Sequence, residues 1–245
     1  MSEGAPAVRL RQAVLVAAEL EPVAARLKQE LGLGEPFRDP GVGEFGLANV
    51  VFAIGDCFLE VVSPTAPGTA AGRQLERAGG DGGYMVLFDL EDLEGARERA
   101  EREGVRTVWR IDLPDISGTH MHPADLRGAI VSLDGSRPYG SWRWGGPEWT
   151  ARPGAGAPGR LSGIVVAVAD PAAVAERWGK VLGVSPSGEG GTALQMSDGA
   201  SVSFVSCGER AVEEIVEIAI ALPAEVRAGR ESIAVGAATL RLSDL

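Results

Sequence analysis

Short apolar runs, each followed by a helical pattern of apolar positions, recur along the chain. The run Leu10–Leu20 is rich in Val and Ala and has an acidic residue near its end, and Leu161–Pro171 repeats that pattern. Apolar residues then follow at intervals of four, which places them on one face of a helix. They are Val23, Leu27 and Leu31 after the first run, and Val174, Trp178 and Leu182 after the second. We therefore predict two copies of a strand–helix unit.

Two weaker copies of this unit are also present. Tyr84–Leu90 is an apolar run typical of a strand, and Asp92–Gly104 has the apolar stripe of an amphipathic helix. Ile215–Leu222 is again typical of a strand, but the segment after it is much shortened. The chain therefore carries four copies of one unit, the last of them reduced.

Strand-like runs broken by turns follow each helical segment. Gly55-Asp56 separates two such runs and is typical of a hairpin turn. The predicted strands are Leu47–Ile54, Cys57–Val62, Thr107–Ile111, Gly118–His122, Gly128–Leu133, Thr192–Met196, Ser201–Ser206, Ser232–Val235 and Ala238–Leu242. Each unit is thus a strand, a helix and two or three further strands. The pattern predicts an α+β fold built from four βαβββ-type units.

A Pro- and Gly-rich segment, Arg137–Gly159, separates the second unit from the third. Its composition is typical of a linker, but its three tryptophans, Trp142, Trp144 and Trp149, indicate that it packs against the rest of the protein. We therefore predict an N-terminal domain over residues 1–136, a linker over 137–159 and a C-terminal domain over 160–245.

Charge and cysteine content narrow the function. The 245 residues carry a formal net charge of -11 and show no basic cluster, which argues against nucleic acid or an anionic membrane surface as a partner. Cys57 and Cys207 form neither a disulfide framework nor a CxxC metal site. Neither a membrane-spanning stretch nor a signal peptide is recognisable, so we expect a cytoplasmic protein.

Several motifs resemble the vicinal oxygen chelate superfamily, which includes glyoxalase I, methylmalonyl-CoA epimerase, extradiol dioxygenases and bleomycin-resistance proteins. Phe58–Pro64, Gly82–Phe88 and His122–Asp134 are similar to three successive motifs of the epimerase-like branch, and Leu10–Leu20 is similar to its opening strand. The resemblance covers residues 9–134 well and 160–245 more loosely. It implies that the four units pair into two half-barrel, glyoxalase-like domains, each with a cup for a ligand.

The resemblance also identifies the four positions that hold a metal ion in this superfamily. They are occupied here by Gln12, Glu60, Met85 and Ser132. A thioether is a soft ligand and a neutral hydroxyl a weak one, so the remaining amide and carboxylate are too few to hold a hard divalent ion. We therefore expect no metal and no other cofactor at this site.

The two histidines of the chain leave a divalent metal open as an alternative. His120 and His122 flank Met121 on a predicted strand and so share one face, where a His-x-His pair can chelate a metal. In the other interpretation, His122 belongs to the turn of an HPxD motif and His120 lines the cup.

Glu60 is the main candidate for a functional residue. Phe58 and Val62, two residues away on either side, share its strand face and are apolar. A carboxylate on such a face needs a partner or a raised pKa. Glu44 is a second catalytic candidate, since it aligns with an acidic residue near the substrate in the epimerase pattern. The candidate ligand-binding residues are Gln12, Tyr84, Met85, His120, Ser132 and Trp142.

The C-terminal half lacks the corresponding groups. Gly163 stands at the ligand position of its first strand, and Ser201–Ser206 offers neither a carboxylate nor an imidazole. The fourth unit has Glu217 and Arg241 at the matching positions. The two histidines and one glutamate of extradiol dioxygenases are missing from this half, so the sequence argues against ring cleavage.

Two functions stay open from the sequence. The first is a metal-free cup that binds a small organic ligand, in a resistance- or sequestration-type protein or a degenerate scaffold. The second is a lyase or isomerase of the glyoxalase or epimerase type, with Glu60 as general base next to a carbonyl. Both have a small molecule as the partner, and both a monomer and a homodimer are compatible with the sequence.

Overall fold

The computed structural model describes residues 6–147, 149–151, 158–210 and 212–245. Its strands form two seven-stranded mixed sheets, ordered β2-β3-β1-β4-β7-β6-β5 and β13-β14-β12-β8-β11-β10-β9. The first sheet consists of β1 (Val8–Val16), β2 (Leu47–Ile54), β3 (Cys57–Pro64), β4 (Gly82–Leu90), β5 (Thr107–Asp112), β6 (Ile116–Met121) and β7 (Ile130–Ser136). The second consists of β8 (Arg160–Val168), β9 (Pro186–Ser187), β10 (Ala193–Gln195), β11 (Ser201–Ser206), β12 (Glu214–Leu222), β13 (Ser232–Val235) and β14 (Ala238–Asp244).

The helices are short and join the strands. They are α1 (Leu20–Glu30), α2 (Ala70–Ala78), α3 (Leu93–Arg102), α4 (Pro171–Leu182) and α5 (Ala224–Arg227). Short 3-10 helices span Pro40–Phe45, Arg143–Gly145, Trp149–Ala151, Glu189–Gly191 and Gly208–Arg210. Within the described ranges, no helix is long and apolar enough to cross a membrane.

Both sheets repeat one pairing pattern. The opening strands of the first two units, β1 and β4, lie antiparallel at the centre of the first sheet, and β8 and β12 do so in the second. Each opening strand also pairs in parallel with the last strand of its own unit. This agrees with the predicted α+β fold of four related units. Each sheet stays open, and neither closes into a barrel.

Local sequence signals explain most element ends. Asp170 accepts the Ala173 N–H and Pro171 occupies the first turn of α4, while Gly183 ends that helix at φ 77°. Asp92 caps α3 in the same way. Helix α2 was not predicted, because it spans only nine residues and Leu75 is its only large apolar side chain.

Some predicted strand ends were wrong by a few residues. The strand predicted over Gly118–His122 is β6, which ends at Met121, and the one predicted over Gly128–Leu133 is β7, which begins at Ile130. In the first unit, the strand expected between α1 and β2 is reduced to a single bridge between Phe37 and Val51.

Strand alternation divides the first sheet into two apolar faces. One face packs into a continuous core that includes α1, α3, α4 and the apolar face of the second sheet. Phe88 and Phe204, from different sheets, both contact Trp178 of α4 there. The opposite face of the first sheet carries a second apolar cluster that includes Phe58, Val62 and Trp142.

The predicted linker region covers that second face. Residues 137–147 and 149–151, called the cap segment below, contain two 3-10 turns and the fully buried Trp142. The first sheet lies within residues 8–136 and the second within 160–244. That each half is a separate domain stays a prediction; residues 148 and 152–157 of the predicted linker lie outside the described residues.

Candidate functional site

A cavity of about 1330 Å³ lies between the first sheet and the cap segment. Residues of the Pro40–Phe45 turn also line it, as do several aromatic side chains. Seven of the eight candidate site residues border this cavity: Gln12, Glu44, Glu60, Tyr84, Met85, His120 and Trp142. The eighth, Ser132, does not line it. Its side chain on β7 is fully buried, and that Ser132 binds a ligand stays a prediction.

Two amide side chains hold the carboxyl group of Glu60. The Nε2 of Gln12 on β1 donates to Oε2 across 2.7 Å, and the Nδ2 of Asn49 on β2 donates to Oε1 across 2.6 Å. Strands β1 and β2 flank β3 on either side, which brings all three side chains to one place. Glu60 is only 7% exposed, so these bonds lie away from bulk solvent.

Groups that can only donate fix the orientation of both amides. The indole N–H of Trp142 donates to Oε1 of Gln12 across 2.9 Å. The backbone N–H of Asp39 donates to Oδ1 of Asn49 across 2.8 Å. Because neither donor can accept a hydrogen bond, each amide must turn its oxygen toward that donor and its NH2 group toward Glu60.

The surroundings make Glu60 a weak acid. The pKa of Glu60 is raised to about 7. Burial is the main cause and the nearby charge of Asp39 adds to it, while the bonds from Asn49 and Gln12 lower the pKa. The charged side chain that acts on Glu60 is thus another carboxylate. Glu60 therefore changes charge near neutral pH.

The donor set does not fit a divalent metal. Gln12 turns an N–H toward Glu60, whereas an amide that binds a metal does so through its oxygen. Met85 is a thioether and Ser132 lies outside the cavity. Across the described residues, no group of three or more His, Cys, Asp or Glu side chains could hold a metal ion.

The two histidines have separate partners. His120 packs against Trp109, with ring centroids 4.4 Å apart, and against Phe45 at 5.9 Å. Burial lowers the pKa of His120 to about 4, so it is neutral at physiological pH. His122 lies just after β6, and its Nδ1 accepts the backbone N–H of Ala124 across 3.1 Å. This geometry agrees with the turn interpretation of His122 and with His120 as a cavity-lining residue.

The remaining catalytic and ligand-binding candidates, Tyr84 and Glu44, differ in their exposure to solvent. Tyr84 is mostly buried, and burial together with the charge of Glu60 raises its pKa to about 12. Glu44 is exposed in the Pro40–Phe45 turn at the edge of the cavity. Glu44 makes no hydrogen bond to Glu60 comparable to those of Gln12 and Asn49.

Sequence reasoning missed Asn49 and Arg11. Asn49 is the one polar residue in the strand LANVVFAI, and such a residue between apolar neighbours is a usable signal. Arg11 is 1% exposed, donates to the carbonyl of Gly140 across 2.6 Å and lies 5.7 Å from the ring centroids of Trp142 and Trp149. It therefore attaches the cap segment to β1.

A second buried carboxyl group also holds the cap segment. The indole N–H of Trp144 donates to Oδ1 of Asp134 across 2.8 Å. The pKa of Asp134 is raised to about 7. Burial is the main cause and the charge of Asp89 on the neighbouring strand adds to it, while the bond from Trp144 and the charge of Arg97 lower the pKa. The second oxygen, Oδ2, has no hydrogen-bond partner among the described residues.

In the second sheet, Gly163 stands opposite Ser201, and Glu217 forms an ion pair with Arg241 across 3.2 Å. That residues 160–245 hold no ligand set stays a prediction.

This fold and this site place the chain in a defined class. The glyoxalase-like domain family matches residues 13–182, more than half of the chain, and the chain belongs to that family. The resemblance to the vicinal oxygen chelate superfamily is thereby confirmed.

Individual relatives come from the same superfamily. An ethylmalonyl-CoA/methylmalonyl-CoA epimerase of Cereibacter sphaeroides is 26% identical over 134 residues, which cover 51% of this chain and 96% of the epimerase. A 4-hydroxymandelate synthase variant from Streptomyces coelicolor is 15% identical with a TM-score of 0.67, over 89% of this chain and 72% of the synthase. The Streptomyces coelicolor methylmalonyl-CoA epimerase, solved with 2-nitronate-propionyl-CoA, is 19% identical with a TM-score of 0.47, over 53% of this chain and 98% of the epimerase. The synthase establishes the two-sheet fold of this chain and says nothing of its substrate.

Proposed function

We propose that this protein binds a small organic molecule in the cavity over Glu60 without a divalent metal, as a sequestration- or resistance-type protein or as a scaffold that no longer catalyses. One observation carries the proposal. Both amides beside Glu60 turn their N–H groups toward its carboxyl group. A metal ion would need lone pairs at that place, whereas these N–H groups hold the carboxyl group itself.

The size and walls of the cavity support a ligand rather than a single ion. Its volume of about 1330 Å³ exceeds what most drug-sized molecules require. Aromatic side chains such as Trp109, Trp142 and Trp144 line it, with a few polar groups among them. This combination of apolar walls and a few placed polar groups is typical of small-molecule sites.

Metal analysis of the purified protein tests this proposal. We expect substoichiometric zinc, nickel, cobalt and iron, and uptake of the neutral dye Nile red that EDTA leaves unchanged. Stoichiometric metal that disappears in Glu60→Ala but persists in Glu225→Ala would overturn it. Glu225 is a suitable control because it is exposed on α5 in the other half.

A second candidate function is proton transfer next to a carbonyl by Glu60, in a lyase or isomerase. The pKa of Glu60, about 7, favours it because a general base works best when its pKa lies near the working pH. An enolate formed without a metal needs hydrogen-bond donors, which makes this chemistry demanding. Incubation with propionyl-CoA and 2-oxo acids in D2O is the test. Deuterium uptake that Glu60→Gln abolishes would favour catalysis, and its absence from folded protein would favour binding alone.

A further inference from the structure

The electrostatics of the cavity indicate which ligands it selects. Among the described residues that line it, four carry carboxyl groups and two carry guanidinium groups: Asp39, Glu44, Glu60 and Asp115 against Arg137 and Arg143. Acidic groups therefore outnumber basic ones around the cavity, in addition to the overall net charge of -11.

The two lining arginines are already engaged. Arg143 forms an ion pair with Asp115 at 3.0 Å. Arg137 donates to the carbonyl of Pro114 across 3.1 Å and to the hydroxyl of Ser117 across 2.9 Å. Among the described residues, the side chains that act on Glu60 are Asn49, Gln12 and Asp39, and neither lining guanidinium is one of them.

Glu60 retains hydrogen-bonding capacity toward the cavity. Each of its oxygens accepts one amide N–H, and each carboxylate oxygen has two lone pairs. A further donor can therefore bind to Glu60 without displacing Gln12 or Asn49. A cationic donor gains most, because it also offsets the cost of holding a charged carboxylate away from water.

The walls suit the rest of such a ligand. Trp109, Phe45 and the neutral His120 pack with ring centroids between 4.4 and 5.9 Å apart and form one aromatic surface of the cavity. Aromatic faces attract both apolar groups and cations.

We propose, resting on the ligand-binding function above, that the cavity selects apolar or aromatic molecules that carry an ammonium group, and that this group binds to the carboxylate of Glu60. Anionic ligands, including acyl-CoA thioesters with their phosphates, bind less well because both arginines among the described lining residues already have partners.

A matched set of probes tests the selection. The set is 4-phenylbutylamine, 4-phenylbutanol and 4-phenylbutanoate, with propionyl-CoA beside them; displacement of Nile red and quenching of tryptophan fluorescence report binding. At pH 8 we expect the amine to bind about tenfold tighter than the alcohol, and the carboxylate to bind weakest.

The pH dependence gives a second readout. The amine stays charged at pH 5 and pH 8, whereas Glu60 is protonated at the lower value. We expect the advantage of the amine over the alcohol to disappear at pH 5. The other titratable groups near Glu60 or in the lining are Asp39, Tyr84, Glu44, Asp115 and His120. Tyr84, with its pKa of about 12, and His120, at about 4, keep their charge over this interval.

Three variants separate the contributions of Glu60 and Asp39 to the preference for the amine. Glu60→Gln should abolish the preference of the cavity for the amine over the alcohol. Asp39→Asn, which keeps an oxygen for the Gly41 N–H, should reduce the preference by about twofold and serves if Glu60→Gln does not fold. Glu225→Gln removes the same charge from the other half and should change nothing.

The outcomes distinguish the two proposals. Tighter binding of the carboxylate or of propionyl-CoA, or a preference for the amine that survives in Glu60→Gln, would overturn the cationic selection and leave ligand binding intact. Nile red uptake that none of the probes displaces would do the same. If the folded protein takes up neither Nile red nor any probe, both proposals fail.

Discussion

The indole N–H of Trp142 donates to the side-chain oxygen of Gln12 across 2.9 Å, although 130 positions separate the two residues in the chain. This bond decides which atom of Gln12 points at Glu60. It therefore connects the cap segment to the carboxyl group at the floor of the cavity, through one amide.

Trp142→Phe should weaken the protein and change Glu60. The variant keeps the aromatic contact with Phe58 but leaves the buried oxygen of Gln12 without its donor. We expect a loss of about 1–3 kcal/mol in the free energy of unfolding, measured with urea. We also expect a higher pKa for Glu60, because Gln12 is then free to turn its oxygen toward the carboxyl group.

Trp149→Phe is the control for this variant, since the indole N–H of Trp149 donates to a carbonyl at the surface. An equal loss of stability in both variants would argue against the Gln12 bond.

Stability should fall as the pH rises through the range in which Glu60 ionises. Burial raises the pKa of Glu60 from 4.5 to about 7, so the folded state holds this proton more tightly than the unfolded chain does. The contribution of Glu60 is therefore fully present below about pH 4.5 and is lost as the pH rises through about 7. Between about pH 4.5 and pH 8 we expect the wild type to lose about 2–3 kcal/mol relative to Glu60→Gln.

The decisive measurement is how much the difference in unfolding free energy between wild type and Glu60→Gln changes from about pH 4.5 to pH 8. Glu60→Gln places a second NH2 group against Gln12 or Asn49, both of which present NH2 groups, so the variant should be less stable than the wild type in acid. Urea unfolding at both pH values separates this constant penalty from the titration. Parallel stability profiles for wild type and variant would contradict a raised pKa for Glu60.

Asp134→Asn should stabilise the protein above neutral pH. Asparagine retains an oxygen for the Trp144 N–H, while the charge on a buried group whose second oxygen has no partner among the described residues is removed. Because burial raises the pKa of Asp134 from 3.8 to about 7, the wild type loses stability as the pH rises through that range. We expect a gain of about 1–3 kcal/mol at pH 8 and little change near pH 4, from thermal and urea unfolding. A variant that is less stable than the wild type at pH 8 would show that the ionised carboxylate is needed.

Local patterns predicted much of the fold because strands and helix ends depend on nearby residues. The apolar runs of β1 and β8, the cap at Asp170 and the glycine at Gly183 all act within a few positions. Helix α2 was not predicted because small and charged residues make up most of its nine positions.

The candidate site was predictable only as far as strand register reaches. The resemblance to the superfamily placed Gln12 and Glu60 together, and the parallel pairing of β1 with β3 brings them into contact. The partners of Gln12 and Asn49, Trp142 and the backbone of Asp39, lie in irregular segments. Their positions follow from the path of the chain over the sheet, which no local period encodes.

A close approach of Gly146 to Phe37 holds the cap segment beside the sheet, and a substitution of Gly146 tests its importance. Gly146 has φ 93° and ψ 164°, a conformation open almost only to glycine. A Cβ atom there would lie 2.5 Å from the ring of Phe37, which also borders the cavity. Gly146→Ala must therefore both strain the backbone and push the cap segment away from Phe37.

Gly188→Ala is the matched control for that variant. Gly188 has φ 76° and ψ -179°, so alanine meets the same backbone cost, but its Cβ would be 3.5 Å from the nearest side chain. We expect a loss of about 1–3 kcal/mol from Gly188→Ala and a larger loss from Gly146→Ala. Nile red uptake should fall in Gly146→Ala alone, because the contact it breaks closes the cavity while Gly188 lies in the other half. Equal unfolding free energies and equal dye uptake in the two variants would mean that the contact between Gly146 and Phe37 does not shape the cavity.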